Sequence, residues 1–273
     1  MRTSLPAACM LSALVLAGCA QIHVSERHFI RPDAPGSVIE KRFASRATSE
    51  LSVPGQDGAT LRGVLFEQAG ARSTILYFGG NMFHLDQHLD ALLSVLAACG
   101  SNVAVFDYRG YGRSTGTPTV ENMRTDALAI FDALDARYPG RVIVHGQSLG
   151  SFMAAHVAQA RPALATVLET TATSAAELVE SNVPWYAWPF VRLDMEPSLR
   201  QVDNRSAAAG IRSATLVIAA GKDRMTPPRL GRKVFEAIPR KDKQWLLLED
   251  AGHNDALQAP DARAAYCKFV RGA

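Results

Sequence analysis

The sequence predicts an α/β fold with a mostly parallel, doubly wound sheet. Short apolar runs alternate along the chain with longer segments of helical periodicity, and this alternation places helices on both faces of a parallel sheet. One apolar run, at residues 141–145, leads into Gly-x-Ser-x-Gly at residues 146–150 and then into a helical segment. Hydrophobic residues occupy 48% of the 273 positions, which is enough for one large core. These features predict one domain over residues 48–273.

An antiparallel hairpin is expected at the start of the domain. Residues 50–53 and 59–67 have a β-like composition, and the Pro-Gly and Asp-Gly steps between them mark turns. The later predicted strands are residues 73–78, 102–106, 142–145, 165–168, 215–219 and 244–248. The predicted helices are residues 84–98, 120–137, 151–160, 226–238 and 255–270. Sheets of this type bind ligands at the carboxyl ends of their strands, so we expect the functional residues there.

Capping residues mark the ends of three predicted helices. Gly100 follows the first helix and is expected at its C-terminus. Thr119 precedes the second helix as its N-cap. Thr226 and Pro227 open the fourth helix in a favoured arrangement, in which a capping hydroxyl is followed by Pro at the first helical position.

Residues 170–210 interrupt the alternation and are predicted to form a short lid insertion. The insertion contains Trp185, Tyr186, Trp188 and Phe190. Pro, Trp and Tyr in one short loop favour an apolar wall over the nucleophile, which suits an acyl chain as substrate. A lid that packs on a core of its own is an alternative that the sequence leaves open.

The first residues have the pattern of a secretory signal peptide. Arg2 supplies a short positive region, and residues 5–17 are apolar. This apolar stretch is too short to cross a bilayer, which requires about 20 residues. We therefore expect residues 1–18 to be a leader that is not part of the fold.

The leader ends in Leu-Ala-Gly-Cys at residues 16–19, which resembles the lipobox of bacterial lipoproteins. The resemblance implies that the thiol of Cys19 is acylated and anchors the protein to a membrane, with residues 19–47 as a tether. Because Ala20 follows the cysteine, the expected location in the bacterial cell envelope is the outer membrane, facing the periplasm. Cleavage after Ala17 or Ala20 with release into the periplasm is the alternative.

The remaining cysteines lie within the domain. Once the leader cysteine Cys9 and the lipobox Cys19 are set apart, Cys99 and Cys267 remain. Both fall in predicted helices and are expected to be small buried side chains. An oxidising compartment permits a disulfide, but the sequence alone does not pair them.

Charge and ligand patterns exclude several classes of function. The formal net charge is +3, and no cluster of Lys or Arg indicates a nucleic-acid surface. His84 and His88 are spaced as a pair on one helix, but no further ligand accompanies them, so a solvated face is the simpler interpretation. We expect neither a metal nor an organic cofactor.

Ser148, at the centre of Gly-x-Ser-x-Gly, is the candidate nucleophile. A sharp turn between strand and helix exposes such a serine at a helix N-terminus, and an adjacent base must activate it. His253 follows the last predicted strand and is the candidate base. Asp223 follows the preceding strand, in the chain order Ser, Asp, His, and is expected to orient the histidine. The backbone N–H groups of Asn81 and Leu149 are the candidate oxyanion donors.

Other polar residues near these positions have structural interpretations. His145 lies on a buried strand and His156 lies inside the helix after the serine. Glu169 ends a strand at the active edge and is expected to bond the backbone of the lid. The Asn81 side chain is a candidate cap for the helix near residue 84, and Asp250 or Asp255 is too close to His253 in sequence to oppose its ring.

Five segments carry a family resemblance. They are Phe-Gly-Gly-Asn at 78–81, Asp-x-Arg-Gly-x-Gly-x-Ser at 107–114, Gly-x-Ser-x-Gly at 146–150, Gly-Lys-Asp-x-x-Thr-Pro at 221–227 and Gly-His at 252–253. In this order they resemble the α/β-hydrolase superfamily, most closely its ABHD13-like and ABHD17-like acyl hydrolases. The resemblance covers nearly all of residues 48–273 and implies the α/β-hydrolase fold. The usual His-Gly before the oxyanion residue is Gly79-Gly80 here, which affects packing more than the backbone donor.

The predicted function is hydrolysis of carboxylic ester or thioester bonds of acyl substrates by a serine hydrolase that forms an acyl-enzyme. A serine peptidase or amidase of the same fold is the alternative among enzymes. A non-catalytic envelope scaffold that keeps the fold is the alternative from another class. The sequence indicates neither the physiological substrate nor the oligomeric state.

Overall fold

The computed structural model describes residues 20–34, 37 and 48–273. The strands are β1 Ala20–Val24, β2 Thr48–Pro54, β3 Thr60–Phe66, β4 Thr74–Phe78, β5 Asn102–Phe106, β6 Val142–Gln147, β7 Ala165–Glu169, β8 Val191–Met195, β9 Ala214–Ala220 and β10 Gln244–Leu248. The α-helices are α1 Leu85–Leu96, α2 Val120–Arg137, α3 Leu149–Ala160, α4 Ala175–Asn182, α5 Pro197–Arg200, α6 Asn204–Gly210, α7 Pro228–Ala237 and α8 Pro260–Gly272. The predicted leader and Cys19 lie outside the described residues.

An eight-stranded sheet in the order β10-β9-β7-β6-β4-β5-β3-β2 organises the fold. The pairs from β5 through β4, β6, β7 and β9 to β10 are parallel, and β3 pairs antiparallel with both β2 and β5. This arrangement confirms the predicted mostly parallel sheet and its opening hairpin. The four central strands β4, β5, β6 and β7 are buried along their whole length because helices cover both faces of the sheet.

The apolar core is divided between the two faces of the sheet. On one face, α2, α3, α6 and α7 pack against the strands through side chains such as Phe131, Met153 and Val234. On the other face, α1 and α8 pack through side chains such as Leu89 and Tyr266. Each of these helices therefore packs on one face of the sheet. It can border the carboxyl ends of the strands only from that face.

Two of the predicted capping residues occupy the expected positions. Gly100 adopts φ +80° just after the turn that extends α1, a conformation that favours glycine. The Thr119 hydroxyl accepts a hydrogen bond from the Asn122 N–H at the start of α2. Thr226 differs from the prediction because α7 begins at Pro228, and the Thr226 hydroxyl donates a hydrogen bond to Asp223 instead.

The segment predicted to be a tether is ordered against the domain over residues 20–34. β1 pairs in parallel with β8 of the insertion, and Val24 and Ile30 are buried in the core on the α2 face. The tether prediction over residues 19–47 is therefore wrong for this part. Pairing with a distant strand of the insertion provides partners for the backbone groups of β1.

The ends of α1 and α8 are joined covalently. Cys99 and Cys267 form a disulfide that closes a sequence separation of 168 residues. The Arg271 side chain also donates hydrogen bonds to the carbonyl oxygens of Ala98 and Cys99, both at 3.1 Å. The sequence left this pairing open, because only the fold brings the two helices together on one face. Within the described part of the chain, no helix has the length and apolarity needed to cross a membrane.

Removing this disulfide should destabilise the protein. We expect the double variant Cys99→Ala, Cys267→Ala to unfold with a free energy lower by about 2–4 kcal/mol, because a cross-link that closes a long loop limits the unfolded chain. Urea unfolding in non-reducing buffer measures the difference, and reduced wild-type protein is the control that should resemble the variant. Equal stability of the variant and the oxidised wild type would contradict the prediction.

Candidate active site

Ser148 lies at a sharp turn between β6 and α3. It adopts φ 53° and ψ −115°, a backbone conformation that costs a non-glycine residue about 1–3 kcal/mol. A Cβ atom on Gly146 would lie 2.1 Å from the Gly150 carbonyl oxygen, and one on Gly150 would lie 2.0 Å from the Phe78 carbonyl oxygen. The two glycines are therefore required for strand and helix to approach closely enough to hold the serine in this turn.

The structure brings together the three predicted side chains. His253 Nε2 lies 2.8 Å from the Ser148 hydroxyl, and His253 Nδ1 lies 2.7 Å from Asp223 Oδ2. His253 is in the loop between β10 and α8, and Asp223 is in the loop after β9. The Gln147 side-chain amide donates a 3.1 Å hydrogen bond to the His253 carbonyl oxygen and holds this loop beside the serine.

Asp223 determines which ring nitrogen of His253 carries the proton. Its side chain is fully shielded from solvent, and Oδ1 accepts hydrogen bonds from the N–H groups of Met225 and Thr226. Burial raises the pKa of Asp223, but hydrogen bonds from His253 and Thr226 outweigh burial and hold the pKa below its ordinary value. Because the ionised carboxylate only accepts hydrogen bonds, Nδ1 of His253 is the donor and Nε2 can accept the Ser148 proton.

Thr226 contributes to this arrangement in a way that the sequence did not reveal. Its hydroxyl lies 2.7 Å from Asp223 Oδ2 and 2.9 Å from the Thr170 carbonyl oxygen, so it connects the carboxylate to the start of the insertion. Sequence reasoning assigned Thr226 to a helix cap because Pro follows it. Its position three residues after Asp223, within one turn of a loop, was the signal that could have indicated the second role.

The two candidate oxyanion donors belong to residues near Ser148. Leu149 is the first residue of α3, where a backbone N–H has no partner within the helix. Asn81 follows Gly80, at which a Cβ atom would lie only 3.6 Å from the Ser148 Cβ. The turn after β4 therefore lies next to the nucleophile.

The Asn81 side chain does not cap α1. Its Oδ1 accepts hydrogen bonds from the Met82 N–H and the Tyr111 hydroxyl, and the first residue of α1, Leu85, instead donates its N–H to Asp107. The alternative role considered for this side chain is therefore wrong. The side chain supports the turn after β4.

Buried ion pairs brace the Gly-rich loop after β5. Arg109 makes two hydrogen bonds to Asp126, at 2.9 and 2.7 Å, and one to Asp57 at 2.6 Å. Burial raises the pKa of Asp107 to about 6, an effect opposed by hydrogen bonds from the N–H groups of Arg113 and Leu85. These contacts hold the loop in place, and none of them reaches Ser148.

His145 and Glu169 form a second polar pair beneath the nucleophile. His145 is buried, with Nε2 3.0 Å from Glu169 Oε2 and Nδ1 3.1 Å from the Tyr266 hydroxyl. The core position predicted for His145 is confirmed. The prediction that the Glu169 side chain bonds lid backbone is wrong, because the carboxylate turns inward and the adjacent strand supplies a buried partner.

His84 and His88 border the cavity at Ser148, and His84 is buried, so the solvated face expected for this pair is wrong for His84. His84 Nε2 is 2.7 Å from Asp33 Oδ1. His156 is half-buried on α3, and burial together with the charges of Arg124 and Arg161 lowers its pKa to about 4. In residues 20–34, 37 and 48–273, no group of three or more His, Cys, Asp or Glu side chains is arranged to hold a metal ion.

The lid aromatics do not form a wall over Ser148. Trp185, Tyr186 and Phe190 are 83%, 65% and 51% exposed, and none of the three borders the cavity at the nucleophile. The predicted pocket lid is therefore wrong for these side chains, and the side chain of Trp188 lies outside the described part. The insertion packs instead on the α2 face, where Met195 and Leu199 enter the core.

A cavity of about 920 Å³ opens at Ser148 and His253 on the α1 side of the sheet. Asn81, Gln147 and Glu169 border it close to the nucleophile. Beyond them the cavity continues along α1 towards the start of α8. The site is therefore a serine with an oriented histidine base, at one end of an elongated cavity.

Several known proteins are similar to this chain. Residues 70–202 match a family model described as serine aminopeptidase, S33. The chain is 32% identical over 250 residues to Mycobacterium tuberculosis uncharacterized protein Rv2307c, covering 89% of this chain and 86% of that protein. It is 28% identical over 193 residues to alpha/beta hydrolase domain-containing protein 17C of Xenopus tropicalis, covering 68% of this chain and 57% of that protein.

Solved structures share the fold. The Pyrococcus furiosus esterase Pf2001 has a TM-score of 0.67 at 17% identity, covering 86% of this chain and 99% of that chain. An acetyl xylan esterase from Paenibacillus sp. R4 has a TM-score of 0.66 at 17% identity, covering 84% of this chain and 85% of that chain. At these identities the likeness shows the fold alone.

The lowered pKa of His156 should make stability depend on pH. In the unfolded chain, His156 binds a proton as the pH falls below the ordinary histidine pKa of about 6.5. In the folded chain, it binds the proton only near pH 4. The free energy of unfolding therefore decreases as the pH falls from about 6.5 to about 4. We expect His156→Gln to lose less stability than wild type between about pH 8 and about pH 5. Thermal unfolding at both pH values measures this, with the exposed His28→Gln as the control. An identical pH dependence of wild type and His156→Gln would refute the assignment.

Proposed function

This chain belongs to the α/β-hydrolase superfamily, and we propose that it is a serine hydrolase that cleaves carboxylic ester or thioester bonds of acyl substrates. The observation that carries the proposal is the hydrogen-bonded series from Ser148 through His253 to Asp223, at 2.8 and 2.7 Å. These distances lie within the range for proton transfer between a nucleophile and its base.

The proposed reaction proceeds in two steps. In the first, Ser148 Oγ attacks the carbonyl carbon while His253 Nε2 takes its proton, and the histidine then protonates the leaving alcohol or thiol as the acyl-enzyme forms. In the second, His253 takes a proton from water, which attacks the acyl group, and the proton returns to Ser148. Asp223 stays ionised and stabilises the imidazolium. The chain itself supplies the nucleophile, the base and the donors, so the proposed steps use no cofactor.

The oxyanion that forms in each step needs hydrogen-bond donors. We assign this task to the backbone N–H groups of Leu149 and Asn81. Removing one such donor typically costs about 2.7–4 kcal/mol of transition-state stabilisation. The location of Leu149 at the N-terminus of α3 supports the assignment, since the helix dipole also favours negative charge there.

A peptidase or amidase is the second candidate function. The family model that matches residues 70–202 is named for serine aminopeptidases, which favours amide substrates. The similarity to alpha/beta hydrolase domain-containing protein 17C does not choose between the two, whereas the esterases that share the fold favour ester substrates. Comparing a p-nitrophenyl ester with the p-nitroanilide of the same acyl group separates the two candidates, and faster turnover of the anilide would favour the peptidase.

Replacing the nucleophile should abolish activity. We expect a fluorophosphonate probe to label the wild type but not Ser148→Ala, and p-nitrophenyl butyrate hydrolysis to fall by at least about a thousandfold in the variant. Labelling on gels and steady-state rates measure the two effects.

The matched control is Ser206→Ala, which removes an exposed serine from α6. This control should keep both the labelling and the rate of the wild type. Labelling retained in Ser148→Ala would show that another residue is the nucleophile.

We also propose that Cys19 is acylated and attaches the protein to a membrane of the bacterial cell envelope, the outer membrane facing the periplasm. The course of the chain supports this proposal: Ala20 pairs with Val191, so the described chain begins about 5 Å from the residue that follows Phe190. The exposed side chains of Trp185, Tyr186 and Phe190 therefore lie close to the point where the predicted anchor joins the domain. Trp and Tyr are the side chains enriched at membrane–water interfaces.

The anchor can be tested by metabolic labelling. We expect a palmitate analogue to label the wild type and the protein to sediment with membranes, whereas Cys19→Ser should lose the label because the acylated thiol is gone. Cys9→Ser is the matched control and should keep the label. Absence of label on the wild type, or equal label on Cys19→Ser, would refute the anchor.

A further inference from the structure

The cavity at Ser148 continues as a groove between α1 and α8. One wall is the exposed side of α1 from Gln87 to Val95, and the other is the turn Ala256–Gln258 with the first turn of α8. Between Gln87 and Val95, α1 rises about 12 Å, roughly the extended length of an acyl chain of eight to ten carbons. The groove therefore has the dimensions of a linear chain that starts at the nucleophile.

The middle of the groove is apolar. Leu92, Val95 and Phe83 are partly buried side chains that pack against the core of this face and still border the groove. Leu257 borders it from the opposite wall, and Ala91 leaves space on α1 because its side chain is small. A hydrocarbon chain in this position would be removed from water on two sides, which contributes free energy for each methylene.

The far end of the groove is polar. Arg263 stands one helical turn before Cys267, and Ser94 stands just over one turn before Cys99, so both lie near the disulfide. The Arg263 guanidinium donates a hydrogen bond to the Gln258 carbonyl oxygen, and its Nε is buried without a partner among the described residues. Burying further methylenes against this charged group would take polar atoms out of water, so this end sets a limit on the length of the acyl chain.

The two walls are held at a fixed separation. The disulfide and the hydrogen bonds from Arg271 join the C-terminal part of α8 to the end of α1. A groove that exists before the ligand arrives loses less conformational entropy on binding than one that must form. An acyl chain would therefore bind to a groove that is already formed.

We infer that this groove is the acyl subsite, and that it selects unbranched acyl chains of medium length, about eight to ten carbons. The inference rests on the proposed serine hydrolase function and names the substrate class that the groove selects. The acyl carbon lies at Ser148, the methylenes lie along Leu92, Val95 and Leu257, and the terminal methyl group stops before Arg263.

The described core side chains of the insertion pack on the other face of the sheet from the groove. Met195 and Leu199 of the insertion belong to the core on the α2 face, whereas Leu92 and Val95 of the groove pack on the α1 face. The sheet separates the two surfaces. The exposed Trp185 therefore serves as a comparison site that lies outside the groove.

Chain-length profiles of three variants test the inference. The probes are p-nitrophenyl acetate, octanoate and dodecanoate, and the readout is the ratio of kcat/KM between chain lengths. Each methylene in the groove should raise kcat/KM about two- to fourfold, so the wild type should prefer octanoate to acetate by at least about tenfold.

Two substitutions should move the profile in opposite directions. Ala91→Trp fills the groove from an exposed helix position and should lower the octanoate-to-acetate ratio at least about fivefold. Arg263→Leu replaces the cation with an apolar side chain and should raise the dodecanoate-to-octanoate ratio at least about threefold. Misfolding cannot explain a gain in the second variant, and Trp185→Ala should leave both ratios unchanged.

The outcomes separate this inference from the proposed function. Acetate hydrolysis that depends on Ser148 but shows no preference for longer chains would overturn the acyl subsite and leave the hydrolase intact. Loss of the octanoate preference in Trp185→Ala, with Ala91→Trp unchanged, would place the chain on the insertion and also overturn it. Absence of Ser148-dependent hydrolysis of any of the three esters would refute the proposed function itself.

Discussion

The close approach of α3 to the end of β4 is the constraint on which the site depends. Because Gly150 has no side chain, its backbone can pack against the Phe78 carbonyl oxygen, and Gly146 can pack against Gly150. This packing holds Ser148 at a positive φ that an ordinary turn would not keep, with its hydroxyl directed at the histidine loop. The same contact places the turn that contains Asn81 next to the nucleophile.

Polar contacts of the N-terminal segment extend this support. The Arg31 N–H donates a hydrogen bond to the Tyr111 hydroxyl, which donates in turn to the Asn81 side chain. Asp33 contacts both His84 and the Gly112 N–H. The segment that enters from the predicted anchor thus braces the turn after β4 and the Gly-rich loop after β5.

The sheet divides the tasks of the protein between two faces. The α1 face contains the groove that we propose for the acyl chain, with its walls joined by the disulfide. The α2 face contains the insertion, β1 and the exposed aromatic side chains that we propose to lie near the membrane. The core contacts of the insertion and those of the groove lie on opposite sides of the same strands.

The sequence by itself determined the parallel sheet, the sharp turn at Ser148, and the candidate positions of Asp223 and His253. Each depends on local information: apolar periodicity, glycine spacing, and the rule that loops at strand ends meet at one edge. Tertiary structure alone decided the Cys99–Cys267 bond, the pairing of β1 with β8, and the direction of the lid aromatics. These contacts join residues far apart in the chain, and a side chain such as Trp185 has the same local pattern whether it faces a pocket or solvent. The pattern of residues therefore identified the candidate reacting groups, but the face of the sheet on which each distant segment packs decided what surrounds them.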